Sequence, residues 1–325
     1  PDLVFYCGQM IDHHCFDPVR KHLPEVTYAT SNPALKRELD RLGIVAKRLP
    51  VFPRAVIMCR HATHRFPCDK ITKIGLRHGA YHFKRLTGAD NYNRFDLYLF
   101  TSRADLQAAE TIGVKTGMAV GFPRLDPAFD GSITEEDLSR LRKELKLDPA
   151  RPVLLFTATW EKSGMSAIHL WYDRLSELTS RYDILVTAHP WTGRKYLEKI
   201  EATPGVRLLR EVDLTPHLML ADVVIGDTSS LLGDCSALGR PIVTFKTGKA
   251  PRSLEEIDRL LDLFSLRVTS FAQVPAAVER LLEDPRLLEQ GRREANRIMF
   301  DALDGKAGQR AAAEILKILP QGMKP

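Results

Sequence analysis

Short apolar runs alternate with amphipathic stretches along the first half of the chain. The runs have the length and the β-branched or aromatic content of buried strands, and the stretches between them have helical periodicity. The predicted strands are Leu3–Cys7, Val26–Thr30, Ala55–Cys59, Lys73–Leu76 and Leu97–Phe100, and a short run at Met118–Val120 leads into a turn. The predicted helices are Asp17–His22, Pro33–Leu42, Ser102–Ile112 and Thr134–Leu145.

The same alternation restarts after a linker at Leu147–Pro152. The predicted strands of the second half are Val153–Thr157, Ile184–Thr187, Val206–Leu209, Val223–Ile225 and Ile242–Phe245. The predicted helical segments are Ser166–Arg181, Arg194–Ala202, His217–Leu220, Leu231–Leu238 and Gly308–Leu319. The second half therefore has the same strand–helix pattern as the first.

Strands that alternate with helices favour parallel sheets covered by helices on both faces. Two such blocks predict an α/β protein with two Rossmann-like domains that face a central cleft. We expect the domains to be residues 1–146 and 147–325, with a last helix that can cross back to the first domain.

Composition is that of an ordinary soluble protein, with 44% hydrophobic and 27% charged residues among 325. The cysteines are five in number and scattered, which disfavours a disulfide framework and favours a reducing compartment. The sequence contains neither an apolar run of the roughly 18 residues needed to span a membrane nor a recognisable signal peptide. We therefore expect a cytoplasmic protein.

The formal net charge of +6 and the isoelectric point near 9.0 favour anionic partners. Cations are interleaved with acids, without the aromatic–basic repeats of nucleic-acid-binding surfaces, so we expect no nucleic-acid partner. The anionic partners that remain possible are phosphorylated substrates and anionic lipid head groups. A solvated basic face and a membrane-contacting patch are both open for Lys70, Lys73, Arg77, Lys84 and Arg85.

Two anion-binding turns follow predicted strands of the second half. Asp227-Thr228-Ser229-Ser230 lies between the strand at Val223–Ile225 and the next helix, and His189-Pro190 follows an earlier strand. Hydroxyl groups and backbone N–H groups at a helix N-terminus bind anions, and ligands of parallel sheets lie beyond the carboxyl ends of strands. The turns predict a phosphate site, with an ordinary helix cap as the alternative.

Two cations, Arg194 and Lys195, follow His189 closely. They are placed to neutralise charge on a leaving group, or they are solvated helix residues.

A further histidine, His78, precedes Gly79 in the first half, where glycine allows the backbone to turn close to a ligand. An imidazole can take a proton from an attacking hydroxyl group. His82 competes for the same role, and a buried structural histidine is the alternative.

No metal or cofactor is predicted. The spacing of Cys59, His61, His64 and Cys68 matches no compact zinc finger, and basic neighbours disfavour a cation. The sequence also lacks the P-loop, dinucleotide-binding and nucleophile-elbow motifs.

An ordered set of short segments, from about residue 75 to 310, resembles the CDP-glycerol glycerophosphotransferases, which build teichoic acids and related capsule polymers. The segments are Arg77-His78-Gly79, Gly121-Phe122-Pro123-Arg124-Leu125-Asp126, Ala158-Thr159-Trp160, His189-Pro190, Asp213, Leu218-Met219-Leu220-Ala221-Asp222, Asp227-Thr228-Ser229-Ser230, Gly239-Arg240-Pro241, Asp304-Gly305-Lys306-Ala307 and Arg310.

The resemblance implies a GT-B fold, with an acceptor-side first domain and a nucleotide-donor second domain. It implies a transferase that moves glycerol- or ribitol-phosphate from a CDP-activated donor to a hydroxyl of a lipid-linked or polymeric cell-surface glycan, and releases CMP. Such an enzyme would sit peripherally on the inner face of the plasma membrane. The alternatives are a nucleotide-sugar glycosyltransferase or a related epimerase of the same fold, and a non-catalytic module that binds the precursor.

Site roles also follow from the resemblance. His78 and His189 would be the catalytic residues, with His78 as the base on the acceptor hydroxyl. The remaining residues would bind the donor phosphates or the nucleotide, and Asp227 would either shape the turn or contact the donor. They are Thr159, Arg194, Lys195, Asp227, Thr228, Ser229 and Ser230.

The chain departs from the family at two places. The family often has Trp before its His-Gly pair and Arg after its Thr-Trp pair, where this chain has Arg77 and Glu161. Because of these two changes, the resemblance does not determine the identity of the acceptor or of the donor head group.

Overall fold

The computed structural model describes residues 2–80, 86–250 and 256–323, and these form two compact units. The first unit contains residues 2–80, 86–132 and 298–323. The second unit contains residues 133–250 and 256–297. The last stretch of the chain therefore packs with the first unit.

Within the described part of the first unit, seven parallel strands form one sheet in the order β3-β2-β1-β4-β5-β6-β7. The strands β1, β4 and β6 are buried at every position, as expected for a sheet covered on both faces. Their bounds are β1 (Leu3–Tyr6), β2 (Thr27–Thr30), β3 (Ala46–Arg48), β4 (Ala55–Met58), β5 (Thr72–Leu76), β6 (Leu97–Phe100) and β7 (Gly117–Ala119).

The described part of the second unit has a six-stranded parallel sheet in the order β10-β9-β8-β11-β12-β13. Its bounds are β8 (Val153–Ala158), β9 (Asp183–Ala188), β10 (Val206–Leu208), β11 (Val223–Gly226), β12 (Ile242–Phe245) and β13 (Leu266–Val268). The predicted α/β class with parallel sheets is confirmed.

The helices lie between these strands and after the last of them. They are α1 (Met10–Arg20), α2 (Pro33–Arg41), α3 (Ala89–Tyr92), α4 (Arg103–Thr111), α5 (Glu135–Glu144), α6 (Arg194–Glu201), α7 (Thr215–Leu220), α8 (Leu231–Ala237), α9 (Ile257–Phe264), α10 (Val274–Glu283), α11 (Glu289–Phe300) and α12 (Ala307–Ile318). In the described ranges, none of them is both long and apolar enough to cross a bilayer.

Helix boundaries follow the capping residues of the sequence. Asn32 accepts hydrogen bonds from the N–H groups of Ala34 and Leu35 at the start of α2, whose first residue is Pro33. Ser102 accepts the N–H of Asp105 at the start of α4, and the chain leaves that helix through Gly113 at φ +96°. Each of these residue types is favoured at the helix position that it occupies here.

The helix predicted over Ser166–Arg181 is wrong. The segment instead forms two separate 3-10 turns, Ile168–Leu170 and Leu175–Glu177. The apolar spacing that resembled a helix belongs to these turns, which place residues three apart on one side. Trp171 between them is fully buried and contacts Phe156 in the core, with ring centroids 5.2 Å apart.

Three further differences have local causes. The first helix starts at Met10 rather than Asp17, because Asp12 and Gln9 form a capping box at its N-terminus. Strands β3 and β13 were not predicted; each has only three residues, and β3 exposes Lys47 and Arg48.

A carboxylate fixes the returning segment to the first unit. Asp126 is buried and accepts hydrogen bonds from the N–H groups of Ala307 (3.1 Å) and Gly308 (2.6 Å) at the start of α12. Gly308 lies so close to α1 that a Cβ there would be 2.4 Å from the carbonyl oxygen of Pro18. Arg310 binds the Val120 carbonyl and pairs with Asp304. The two segments that resemble the family here, 121–126 and 304–310, therefore hold the returning end of the chain on the first unit.

Candidate active site

The polar turns of the second unit meet at the carboxyl edge of its sheet. Strands β8 and β11 are neighbours, but β8 continues to β9 on one side and β11 to β12 on the other. Ligands of open parallel sheets bind in the crevice at such a point of reversal. Thr159 follows β8 directly and Asp227 follows β11 directly, so both lie at this crevice.

The carboxylate of Asp227 holds the two turns together. It is fully buried and accepts N–H groups from Thr159 (3.0 and 3.2 Å), Ala167 (2.9 Å), Thr228 (2.5 Å) and Ser229 (3.0 Å). Burial raises the pKa of Asp227, and the four N–H groups oppose that rise by stabilising its charged form. These contacts support a role in shaping the turn over direct contact with a donor.

The turn presents its two serines at the edge. Thr228 is buried and donates its hydroxyl hydrogen to the Met165 carbonyl (3.2 Å). Ser229 and Ser230 are half-buried, and Ser229 Oγ lies 3.4 Å from the N–H of Leu231. Among the described residues, the Ser230 side chain caps no N–H of α8. The serine hydroxyls are therefore the groups of this turn that can reach a ligand.

The contacts of His189 fix its tautomer. Its Nδ1 accepts the backbone N–H of Trp191 (3.2 Å), which requires a neutral ring with the hydrogen on Nε2. The ring also meets the Trp191 ring edge to face at 5.2 Å, and Trp191 meets Trp160 at 5.3 Å. His189 can therefore donate a hydrogen bond from Nε2.

The predicted cations Arg194 and Lys195 begin helix α6 on the protein surface. The Arg194 side chain is 89% exposed and pairs with Glu198 (2.6 Å), and the Lys195 ammonium lies over the Tyr196 ring. A phosphate contact by Arg194 therefore requires that pair to open.

At the family's arginine position, Glu161 accepts the N–H of Gly193 (2.9 Å), which precedes α6. This departure therefore has a local structural role.

Two lysines of this edge were missed by the sequence reasoning. Lys246 and Lys249 follow β12, the neighbour of β11, and both are exposed. Strand β12 was predicted from the sequence. Had its pairing with β11 been inferred as well, Lys246 and Lys249 would have been placed beside the Asp227 turn.

In the first unit, His78 has the opposite tautomer. It follows β5, is half-buried, and donates Nδ1–H to the carbonyl of Cys59 (2.9 Å), since a carbonyl can only accept. In the neutral ring Nε2 then carries the lone pair. Burial first, and then the positive charges of Arg60, Arg77 and Arg124, lower the pKa of His78 to about 3. The competing His82 lies outside the described residues.

Arg77 is not a surface residue, so its placement in the basic patch was wrong. It is 2% exposed and forms a two-pronged ion pair with Asp105 (2.7 and 3.0 Å). Its guanidinium also lies 4.9 Å from the centre of the Phe100 ring. This buried pair fixes the end of β5 beside His78. Lys70 and Lys73 remain in the described part of the patch, and Lys84 and Arg85 lie outside it.

The histidine and cysteine group after β4 has structural contacts. His61 binds the Asn91 carbonyl through Nδ1 (3.1 Å) and stacks on Tyr98. Over residues 2–80, 86–250 and 256–323, no three His, Cys, Asp or Glu side chains are grouped to hold a metal ion.

We expect Asp227→Asn to destabilise the second unit by about 2–4 kcal/mol, because an amide nitrogen cannot accept the N–H groups that now meet one carboxylate oxygen. The matched control is Asp222→Asn, since Asp222 is exposed and accepts a single N–H from Val153 (2.7 Å). The control should lose no more than about 1 kcal/mol. Urea titration measures both; equal losses would contradict the role given to Asp227.

Comparison with known proteins gives the family. A family model described as CDP-glycerol:poly(glycerophosphate) glycerophosphotransferase matches residues 61–317. The teichoic acid poly(ribitol-phosphate) polymerase of Bacillus spizizenii is 24% identical over 278 residues, which are 82% of this chain and 43% of the relative. The ribitol-phosphate polymerase TarL of Staphylococcus aureus is 23% identical over 203 residues, which are 58% and 35% of the two chains. The chain thus spans less than half the length of these curated relatives.

Solved structures agree at the level of the fold. The wall teichoic acid polymerase TagF has a TM-score of 0.69 at 17% identity, over 98% of this chain and 88% of that one. Anabaena HepE in complex with UDP-glucose has a TM-score of 0.61 at 13% identity, over 98% and 100%. The predicted GT-B-like α/β fold is confirmed. Since the family model matches most of its length, the chain belongs to the CDP-glycerol:poly(glycerophosphate) glycerophosphotransferase family.

Proposed function

We propose that the protein transfers a polyol-phosphate, glycerol- or ribitol-phosphate, from a CDP-activated donor to a hydroxyl of a polymeric or lipid-linked cell-surface glycan, and releases CMP. The first unit acts on the acceptor and the second on the donor. Family membership supports the donor class, and the relatives named as ribitol-phosphate polymerases support both the polyol and the polymeric acceptor.

The observation that carries this proposal is the opposite tautomers of two histidines. His78 keeps its hydrogen on Nδ1, so Nε2 can take a proton from a hydroxyl group. His189 keeps its hydrogen on Nε2, so it can donate a hydrogen bond to a phosphate oxygen. Transfer of a phosphoryl group to a hydroxyl needs one group of each kind.

In the proposed reaction, the acceptor oxygen attacks the phosphorus distal to cytidine and forms a new O–P bond. The hydroxyl proton passes to Nε2 of His78. The bond from that phosphorus to the bridging oxygen breaks, and CMP leaves with the electron pair. His189 and the hydroxyls of Ser229 and Ser230 bind phosphate oxygens, which places hydrogen-bond donors where negative charge develops.

The exposed cations of the same edge balance the charge of the donor. Lys246 and Lys249 lie after the strand next to the serine turn, and Arg194 and Lys195 begin the helix after His189. Four positive groups at one sheet edge suit a diphosphate.

Contact with a membrane belongs to the same proposal, because a lipid-linked acceptor lies at the bilayer surface. Lys70 is exposed, and Lys73 binds the carbonyls of Cys68 and Ile71. Vesicles that contain anionic lipid should bind the protein more weakly after Lys70→Gln, and neutral vesicles should not distinguish the variant.

We expect His78→Ala to lower kcat by about 10²- to 10⁴-fold, the range of a lost general base. The protein is incubated with a glycan acceptor and CDP-glycerol, CDP-ribitol or UDP-glucose, and nucleotide release is measured. His64→Ala is the matched control, because His64 is an exposed histidine of the same unit. Ser229→Ala with Ser230→Ala should raise KM for the CDP-linked donor.

Full turnover by His78→Ala would contradict the proposed base. Release of UDP from the sugar donor, with none of CMP from either polyol donor, would replace the proposed function by that of a glycosyltransferase.

The acid side of the pH profile should not show an ordinary histidine. Because the pKa of His78 is lowered to about 3, the ring stays neutral and able to accept a proton well below pH 6.5. We therefore expect kcat/KM to stay level from pH 8 down to about 5. A loss of activity with a midpoint near 6.5 would contradict the lowered pKa.

A further inference from the structure

The sheet of the first unit has its own point of reversal, between β1 and β4. From β1 the chain continues to β2 on one side, and from β4 to β5 on the other. The residues that leave these strands are Gly8 and Gln9 after β1, and Cys59 and Arg60 after β4. A ligand crevice is expected at this place, and none of the residues given a role in the proposed reaction occupies it.

Arg60 is held at this crevice by two residues of the β1 side. Its Nη2 donates to Gln9 Oε1 (2.7 Å), and its Nε lies 3.2–3.3 Å from the carboxylate oxygens of Asp12. The N–H groups of Gly8 (2.9 Å) and Gln9 (3.0 Å) also bind Asp12. These N–H groups are therefore already paired with Asp12. The Arg60 guanidinium is the group of this cluster that can donate hydrogen bonds to a ligand.

The rest of the Arg60 guanidinium points to solvent. Its side chain is 32% exposed, whereas that of Asp12 is 1% exposed. Nη1 and one hydrogen of Nη2 have no partner among the described residues. The partner carboxylate is thus buried beneath the arginine, and the remaining hydrogens form a fork of the kind that binds phosphate.

The same arginine is next to the proposed base. The carbonyl of Cys59, the residue before Arg60, accepts Nδ1–H of His78 at 2.9 Å. Among the described residues, Arg60, Arg77 and Arg124 lower the pKa of His78 through their positive charges, so they contribute a positive potential at its ring. An anion is favoured there, beside the hydroxyl that His78 would deprotonate.

We propose that Arg60 binds a phosphate group of the acceptor, adjacent to the attacking hydroxyl, in the crevice between the carboxyl ends of β1 and β4. This rests on the proposed function: when the acceptor is a polymer built by repeated transfer of polyol-phosphate, its end carries a phosphate next to the polyol hydroxyl. Arg60 precedes the residues matched by the family model, 61–317.

Binding of the anion would also act on the base. A phosphate on Arg60 neutralises part of the positive potential at His78 and so raises the pKa of that histidine from its value near 3 toward its ordinary range. A stronger base is then present when the acceptor is bound.

The test is an NMR titration of the full chain with glycerol 3-phosphate, followed on the His78 ring and on the amides of Gly8 and Gln9. We expect saturable shifts there, and binding about tenfold weaker or more in Arg60→Gln, the size of one charge-assisted hydrogen bond. Arg37→Gln is the matched control, since Arg37 is an exposed arginine on α2 with the same charge. Neutral glycerol should show no dependence on Arg60.

Two further arms separate acceptor binding from donor binding and from loss of the fold. CMP binding should be unchanged in Arg60→Gln, which separates an acceptor phosphate from a donor phosphate. The double variant Arg60→Gln/Asp12→Asn removes the guanidinium without leaving the buried Asp12 carboxylate unpaired. The melting temperature of each variant shows whether it is folded, so weaker binding by a folded variant is not a result of unfolding.

Equal affinity of wild type and Arg60→Gln for glycerol 3-phosphate would overturn the proposal, as would an absence of binding to the wild type. A different result would show that the proposed function is wrong. In that case the wild type would release no CMP from CDP-linked donors, whatever the titration with glycerol 3-phosphate shows. If turnover is present, Arg60→Gln should raise KM for a phosphorylated acceptor and leave KM for the donor unchanged.

Discussion

The buried carboxylate of Asp227 is the constraint on which the carboxyl edge of the second sheet depends. A carboxylate removed from water is stable only when its oxygens are satisfied, and here four backbone N–H groups from two separate turns satisfy them. The turn after β8 and the turn after β11 are thereby tied together. The two serines stay at the surface because Asp227, rather than a serine, takes the inward-facing N–H groups.

The first unit uses buried carboxylates in the same way, two of them in ion pairs and one with backbone N–H groups. Asp105 holds Arg77 beside the end of β5, and Asp12 holds Arg60 beside the end of β4. Asp126 holds the start of α12, which brings the end of the chain back to this unit. Several residues that carry the family resemblance thus stabilise the fold.

The sequence predicted the strands and their order along the chain well, because parallel strands are continuous apolar runs with clear ends. It therefore also placed His78, His189 and the serine turn after strands. It could not show that Arg77 is buried, because Arg77 follows β5 and its partner Asp105 lies on α4, 28 residues later in the chain. The helix predicted over Ser166–Arg181 failed because two short 3-10 turns bury the same apolar residues, and apolar spacing alone does not distinguish the two structures. The contacts of Arg60 could not be predicted from the sequence either, because Arg60 follows β4 and its partners Gln9 and Asp12 follow β1.

The two histidines have opposite tautomers, so that His78 can accept a proton and His189 can donate a hydrogen bond. The most direct test is ¹⁵N NMR of the imidazole rings at neutral pH, with His78→Gln and His189→Gln used to assign the signals. We expect hydrogen on Nδ1 of His78 and on Nε2 of His189. The same tautomer in both rings, or a protonated His78, would contradict it.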